Sequence, residues 1–220
     1  MGAIHRKAGD KMDNLDFSDF DINFNDEQDQ EKPEKHYSHK RRTVVLKRMT
    51  NEVYRRAFSE TRLLDIVDEL KEGYAYNFIT EGDVDALSYL KLILRHQPKL
   101  KYVLISTWCM AFEDIYQIEE WLEEGAIEKM DIYLGRIFQK SYQYEKMMIE
   151  RIMTKYNGRV VIFRNHSKVI AGYGDQFHFG LQTSANVNRN PCTENACLTI
   201  TKEIFDFYKE YYDGLKSIEE

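Results

Sequence analysis

The sequence predicts an α/β fold: a mixed, mostly parallel sheet flanked by helices on both faces, ending in a C-terminal β-hairpin. Three observations carry this prediction. Short apolar runs alternate with amphipathic helical stretches from about residue 50 to residue 164. Two β-like runs, 167–171 and 177–185, then flank Gly172-Tyr173-Gly174-Asp175, a turn signal. The chain has 220 residues, 43% hydrophobic and 31% charged, enough for one domain with a proper core.

Each element follows from its local pattern. Residues 51–71 place Val53, Ala57, Leu63, Leu64, Ile66, Val67 and Leu70 partly at helical spacing, which predicts a helix. Residues 74–80 (YAYNFIT) predict a strand, and 83–97 a helix that stops before Pro98. Residues 101–107 (KYVLIST) predict a buried strand, 113–128 an amphipathic helix, and 132–138 a further strand. A helix over 141–156 ends at Gly158. Strand–helix–strand alternation of this kind builds right-handed crossovers around a largely parallel sheet. After RVVIFR (159–164) and the hairpin, Ile204, Phe207, Tyr208, Tyr211, Tyr212 and Leu215 form a helical stripe, expected to face the core.

The first 40 residues read differently. They are rich in Asp and Asn and poor in aliphatic side chains, so they cannot offset their ordering entropy. Residues 1–40 are therefore expected to form an acidic, flexible tail, and residues 41–220 a single domain. Net charge is −6, but residues 1–35 carry 10 acidic against 5 basic side chains, so the body is nearly neutral and can present a basic patch. Lys40, Arg41, Arg42, Lys47 and Arg48, with Arg55 and Arg56, are candidates for phosphate contacts. No apolar run approaches the roughly 20 residues of a membrane helix, so no membrane partner is expected. Three scattered cysteines, Cys109, Cys192 and Cys197, offer neither a disulfide framework nor a metal pair, which suits a reducing, cytoplasmic setting.

The residues that carry chemistry lie around the hairpin. In His166-Ser167-Lys168, residues two apart share one face of an extended segment, so imidazole and ammonium project together while Ser167 points away. Ser184-Ala185-Asn186 repeats that pattern. A hairpin centred near Gly174 would place His166 near Gln182 and Lys168 near Gly180, which has no side chain to crowd the lysine. The set suits phosphoryl transfer. An imidazole can attack phosphorus as a covalent nucleophile. Lys168 supplies charge, and Asn186 and Ser184 supply neutral donors, to the non-bridging oxygens. Glu194 is the candidate carboxylate for the far imidazole nitrogen. Fixed cations and donors make a metal or other cofactor unnecessary. Trp108 is expected in the core rather than on a pocket wall.

HSKVIAGYGDQFHFGLQTSANVNRNPCTEN (166–195) resembles the motif of the phospholipase D superfamily, HxKx4Dx6GSxN followed by Glu. The resemblance implies a phospholipase D-like fold, with His166 forming a phosphohistidine. It further implies that Lys168, Asn186 and Ser184 bind phosphate and that Glu194 holds His166. The sequence departs from the pattern in three places. Asp175 follows Lys168 after six intervening residues instead of four, Thr183 replaces the Gly before Ser, and Ser184 lies 18 residues after His166 instead of 15. A longer hairpin absorbs the difference, with Asp175 in its turn.

The full constellation occurs once, whereas the family's site uses two. The resemblance therefore implies a homodimer with the two His166 side chains facing across the two-fold axis, one attacking and one acting as general acid. The function expected is a metal-independent phosphodiesterase, a nuclease acting on DNA or RNA. A nucleic-acid-binding module without turnover on the same fold is the main rival, and a phospholipid phosphodiesterase a third.

Overall fold

The computed structural model describes residues 51–218 apart from 58, 82–83 and 189–191. The acidic tail and the basic run 40–48 lie outside the described residues.

The elements follow in the order β1 (Asn51–Ala57), α1 (Glu60–Asp65), β2 (Tyr74–Thr80), α2 (Ala86–His96), β3 (Leu100–Thr107), α3 (Phe112–Glu123) and β4 (Met130–Gly135). After a 3-10 turn at Arg136–Gln139 come α4 (Gln143–Lys155), β5 (Arg159–Phe163), β6 (Val169–Gly174), β7 (His178–Thr183), β8 (Glu194–Ile200) and α5 (Lys202–Asp213). They build one eight-stranded sheet in the order β1-β2-β8-β7-β6-β3-β4-β5.

The sheet is mixed, as expected, but its neighbour pairings are less parallel than the alternation implied. β1–β2, β3–β4 and β4–β5 pair in parallel. β6 and β8 run against all the others, so every pairing they make is antiparallel. The hairpin and β8 are inserted between β2 and β3, which splits the parallel set into two blocks. Strand β8 has no counterpart in the sequence-based expectation.

The expected helix over 51–71 is corrected. Residues 51–57 form β1, paired along its length with β2, and only Glu60–Asp65 is helical. Ser59 starts that helix by accepting a hydrogen bond from Arg62 N at 3.3 Å. β-branched and aromatic residues next to a waiting sheet edge favour the strand over the weak helical periodicity.

Side chains alternate between two cores. On one face Val103, Ile105, Ile132 and Ile170 pack with α1, α2, α3 and α4. On the other, Tyr102, Leu104, Tyr133, Val169 and Ala171 pack with Ile204, Phe205, Tyr208 and Tyr212 of α5. Each Val, Leu, Ile or Phe among them contributes about 1.5–3 kcal/mol by burial. The helical stripe of α5 is therefore core, rotated slightly from the expectation: Phe205 is buried and Tyr211 is 58% exposed.

The hairpin register also differs. Val169 pairs with Gln182 and Ala171 with Gly180, and Thr183 N donates to Lys168 O at 3.1 Å. Lys168 thus lies beside Thr183, not Gly180. The missing side chain of Gly180 makes room for α5: a Cβ there would stand 2.8 Å from Ile204 Cγ1. Gln97 fixes the turn by accepting from Gln176 N and Phe177 N. Asp175 sits in that turn, as expected, and pairs with Lys101.

One end of the sheet gathers the carboxyl ends of β2, β3, β4, β5 and β7 with the starts of β6 and β8. In α/β sheets this is where ligands bind.

Candidate active site

His166 and Lys168 lie on the extended segment that leads into β6 at this end. Lys168 Nζ is 3.1 Å from His166 Nδ1 and donates to His166 O at 2.9 Å. The side chains are therefore neighbours, as the spacing predicted. His166 is exposed and Lys168 half-buried. Partial burial lowers the lysine's pKa from its ordinary value, since desolvation penalises the ammonium.

The histidine ring rests on Trp108, with centroids 5.4 Å apart and planes tilted by 40°. Trp108 is half-buried, so it walls the site instead of filling the core as expected. Gly135 makes the approach possible. A Cβ there would lie 2.8 Å from Trp108 Cδ1 and 3.0 Å from the Asn165 carbonyl oxygen.

Ser167 turns to the opposite side, away from the imidazole. Its hydroxyl lies 2.6 Å from Asn165 Oδ1, 2.8 Å from Ser106 Oγ and 2.8 Å from Tyr212 Oη. Asn165 and Ser106 were not singled out from the sequence, and Tyr212 only as part of the core-facing stripe of α5. The available signal was a polar Asn-His-Ser-Lys stretch between two apolar strands.

The second half of the motif follows β7. Ser184 N donates to Asn195 O at 3.0 Å. The chain then crosses the end of β3: Val187 N donates to Thr107 Oγ1 at 3.2 Å and Ala111 N to Val187 O at 3.0 Å. Ala86 N, at the start of α2, donates to Asn186 O at 3.2 Å. The segment Thr107–Ala111 therefore touches both halves, His166 through Trp108 and the Asn186 turn through Thr107 and Ala111. Among the described residues the buried Asn186 Oδ1 atom finds no hydrogen-bond partner, an arrangement that is costly and uncommon in a folded chain.

One expected role is corrected. The Ser184 hydroxyl donates to the Glu194 carboxylate and accepts from Asn195 N at 3.0 Å. A hydroxyl has one proton, so Ser184 bound this way cannot also donate to phosphate. Glu194 holds Ser184, whereas the Nδ1 of His166 faces Lys168.

Cys109 is buried near Lys168, and burial pushes its thiol pKa up. That makes it a poor nucleophile. Among the described residues no group of three or more His, Cys, Asp or Glu side chains is arranged to hold a metal ion. No helix among them is long and apolar enough to cross a membrane.

The described residues thus bring an exposed imidazole, a half-buried ammonium and the wall of Trp108 together at one end of the sheet. No protein-family model matches the chain, and no curated protein matches it. Among solved structures the chain is similar to a polyphosphate kinase from Porphyromonas gingivalis, with TM-score 0.49 and 16% identity over 71% of this chain. It is also similar to a phosphatidylserine synthase from Haemophilus influenzae Rd KW20, with TM-score 0.48 and 14% identity over 64% of this chain. The chain spans only 29% and 38% of those two proteins.

Proposed function

We propose that this protein is a metal-independent phosphodiesterase working through a phosphohistidine, with a nucleic acid as substrate. The observation that carries the reading is the pairing of an exposed His166 with Lys168 at 3.1 Å, at the sheet end where the Asn186 turn also lies.

The chemistry runs as follows. Lys168 exchanges its contact with Nδ1 for the non-bridging oxygens of the phosphate, which are anionic and stronger acceptors. Freed of that contact, the imidazole gives up its Nε2 proton to water as Nδ1 takes one from water, and the neutral ring, protonated on Nδ1, attacks phosphorus through Nε2. A P–N bond forms as the P–O bond to the leaving group breaks, and the leaving oxygen takes a proton from a general acid. Water attacks the phosphohistidine, returns a proton to that acid, and the P–N bond breaks. The chain contains a single such constellation, so the general acid is taken to be His166 of a second copy across a two-fold axis.

Charge supports an extended anionic substrate. Gly135 and Phe163 are register partners on β4 and β5, and the next residues, Arg136 and Arg164, leave the two strand ends side by side. Both are exposed, and neither has an ion pair among the described residues. Unpaired cations flanking an imidazole–ammonium pair suit a phosphate backbone.

The test uses labelled single- and double-stranded DNA, RNA and bis(p-nitrophenyl) phosphate in EDTA, with wild type and His166→Ala. Cleavage by wild type and its loss in His166→Ala, with melting temperature unchanged, is the expected result. Binding of nucleic acid without cleavage would replace the enzyme by a binding module. Headgroup release from vesicles, with nucleic acid left intact, would replace the substrate.

A further inference from the structure

The environment of Asn165 sets the direction of the hydrogen bonds that meet at Ser167, behind His166. Asn165 is 7% exposed. Its Nδ2 lies 3.2 Å from Thr107 O and 3.1 Å from Tyr133 O. Carbonyl oxygens only accept, so this end of the amide is the nitrogen. Its other end, Oδ1, accepts from Ser167 N at 2.9 Å, which agrees. Oδ1 carries no proton, so at 2.6 Å the Ser167 hydroxyl must donate to it. Ser167 has then spent its proton, and both Ser106 Oγ and Tyr212 Oη donate to Ser167 Oγ. Ser106 Oγ in turn accepts from Asn165 Nδ2 at 2.9 Å.

The result is a closed ring in which all bonds run the same way: Asn165 Nδ2 to Ser106, Ser106 to Ser167, Ser167 back to Asn165 Oδ1. Tyr212 adds a fourth donor from outside the ring. Such chains polarise one another and are strong when fully satisfied. The ring ties the ends of β3 and β4 to the two residues on either side of His166. Tyr212 links it to α5, where Arg159 donates to both Tyr133 Oη and Tyr212 O at 2.7 Å.

From this geometry we infer that Asn165, Ser106 and Ser167 are positioning residues, which hold the histidine backbone so that the imidazole faces the phosphate site. The Ser167 hydroxyl and the buried Asn165 amide turn to the ring behind, while the His166 ring turns the other way, onto Trp108 and Lys168. The residue is exposed and has only Trp108 and Lys168 as side-chain neighbours in the contacts above. Its aim is set from behind, through the backbone, rather than by partners on its ring. This inference rests on the proposed catalytic role of His166 for its kinetic consequence, but not for its structural one.

The experiment compares Ser167→Ala and Ser106→Ala, which open the ring, with Tyr212→Phe, which removes only the outside donor. Turnover of bis(p-nitrophenyl) phosphate is measured with the folded, full-length chain, alongside the NMR signal of the His166 ring. Each ring-opening variant is expected to lower kcat at least tenfold with KM changed less than twofold, and to shift or broaden the His166 signal. Tyr212→Phe is expected to lower kcat less than threefold. Ring-opening variants with kcat within twofold of wild type and an unmoved His166 signal would overturn the inference. If one ring variant fails to fold, the other decides. Should wild type turn over no phosphodiester, the catalytic reading fails alone. The His166 signal then decides: a change in the ring variants upholds the positioning role, and an unchanged signal overturns it.

Discussion

The two turns that build the site are held in opposite ways. The His166 turn is fixed by side chains, in the closed ring of Asn165, Ser106 and Ser167. The Asn186 turn is fixed through its backbone, by Thr107 Oγ1, Ala111 N–H and Ala86 N–H. One turn has every polar group of its anchor satisfied; the other leaves the Asn186 amide oxygen buried without a partner among the described residues. An amide oxygen only accepts, so a donor group, not a phosphate oxygen, would have to complete the second turn.

The sharpest way to break this division is at the point both turns share. Trp108 stacks on His166 and belongs to the segment that anchors the Asn186 turn. Gly135 has φ −71° and ψ 157°, a conformation open to any residue, so only contact opposes a side chain there. Gly135→Val would press on Trp108 Cδ1, Trp108 O and Asn165 O, all within 3.0 Å of the first added carbon. Two of these are backbone atoms and cannot swing aside. The expected cost is about 3 kcal/mol, read as a fall in thermal midpoint, together with loss of phosphodiester cleavage. Unchanged cleavage would mean that neither turn depends on Trp108.

A change at Thr107 addresses one turn alone. Thr107 Oγ1 donates to Cys109 O at 2.7 Å and accepts from Val187 N at 3.2 Å. Thr107→Val keeps the shape and strands both partners, at a cost of about 2 kcal/mol. Because the Asn186 turn loses its tie while the ring behind His166 keeps all its members, KM for a phosphodiester should rise several-fold and the His166 NMR signal should stay in place. A moved His166 signal with constant KM would reverse the assignment of the two anchors.

How far the sequence foretold this depends on the range of the interactions involved. The shared face of His166 and Lys168 is a property of any extended segment, so it was legible from spacing alone. The strands expected at 74–80 and 101–107 are both present, the second a residue longer at its start. The pairing of Lys168 with Thr183 was not legible, because the turn geometry is set by Gln97, some 79 residues earlier in the chain. β1 was misread as helix because its weak periodicity ran on into the true helix after Ser59. Glu194 was assigned to His166 from the motif, and its bond from the Ser184 hydroxyl was not foreseen, because it depends on the pairing of β7 with β8. The ring could not be seen at all: Ser106, Asn165 and Tyr212 meet only when β3, the β5–β6 connection and α5 are assembled.

The smallest effect separates the turns by pH. Asp114, in the first turn of α3, has its pKa raised to about 7, first by burial and then by the charge of Asp85. A hydrogen bond from Ala111 N–H opposes the rise, and the same N–H donates to Val187 O at 3.0 Å. The carboxyl is thus neutral in the folded protein over a range where the unfolded chain has it ionised. Its favourable contribution is complete below about pH 4, declines as pH rises, and is gone above about pH 7. Asp114→Asn removes that slope. The variant should match wild type near pH 4 and exceed it at pH 8, by about 1–2 kcal/mol once the water reaching this half-buried group is allowed for. Thermal midpoints across pH 4–8 provide the check, and a difference independent of pH would sink the idea. The His166 signal of the two proteins should titrate alike over the same range, because Asp114 reaches the site only through the Asn186 turn. A divergence there would show that the two anchors are coupled through Trp108, and that the second turn also helps to aim the nucleophile.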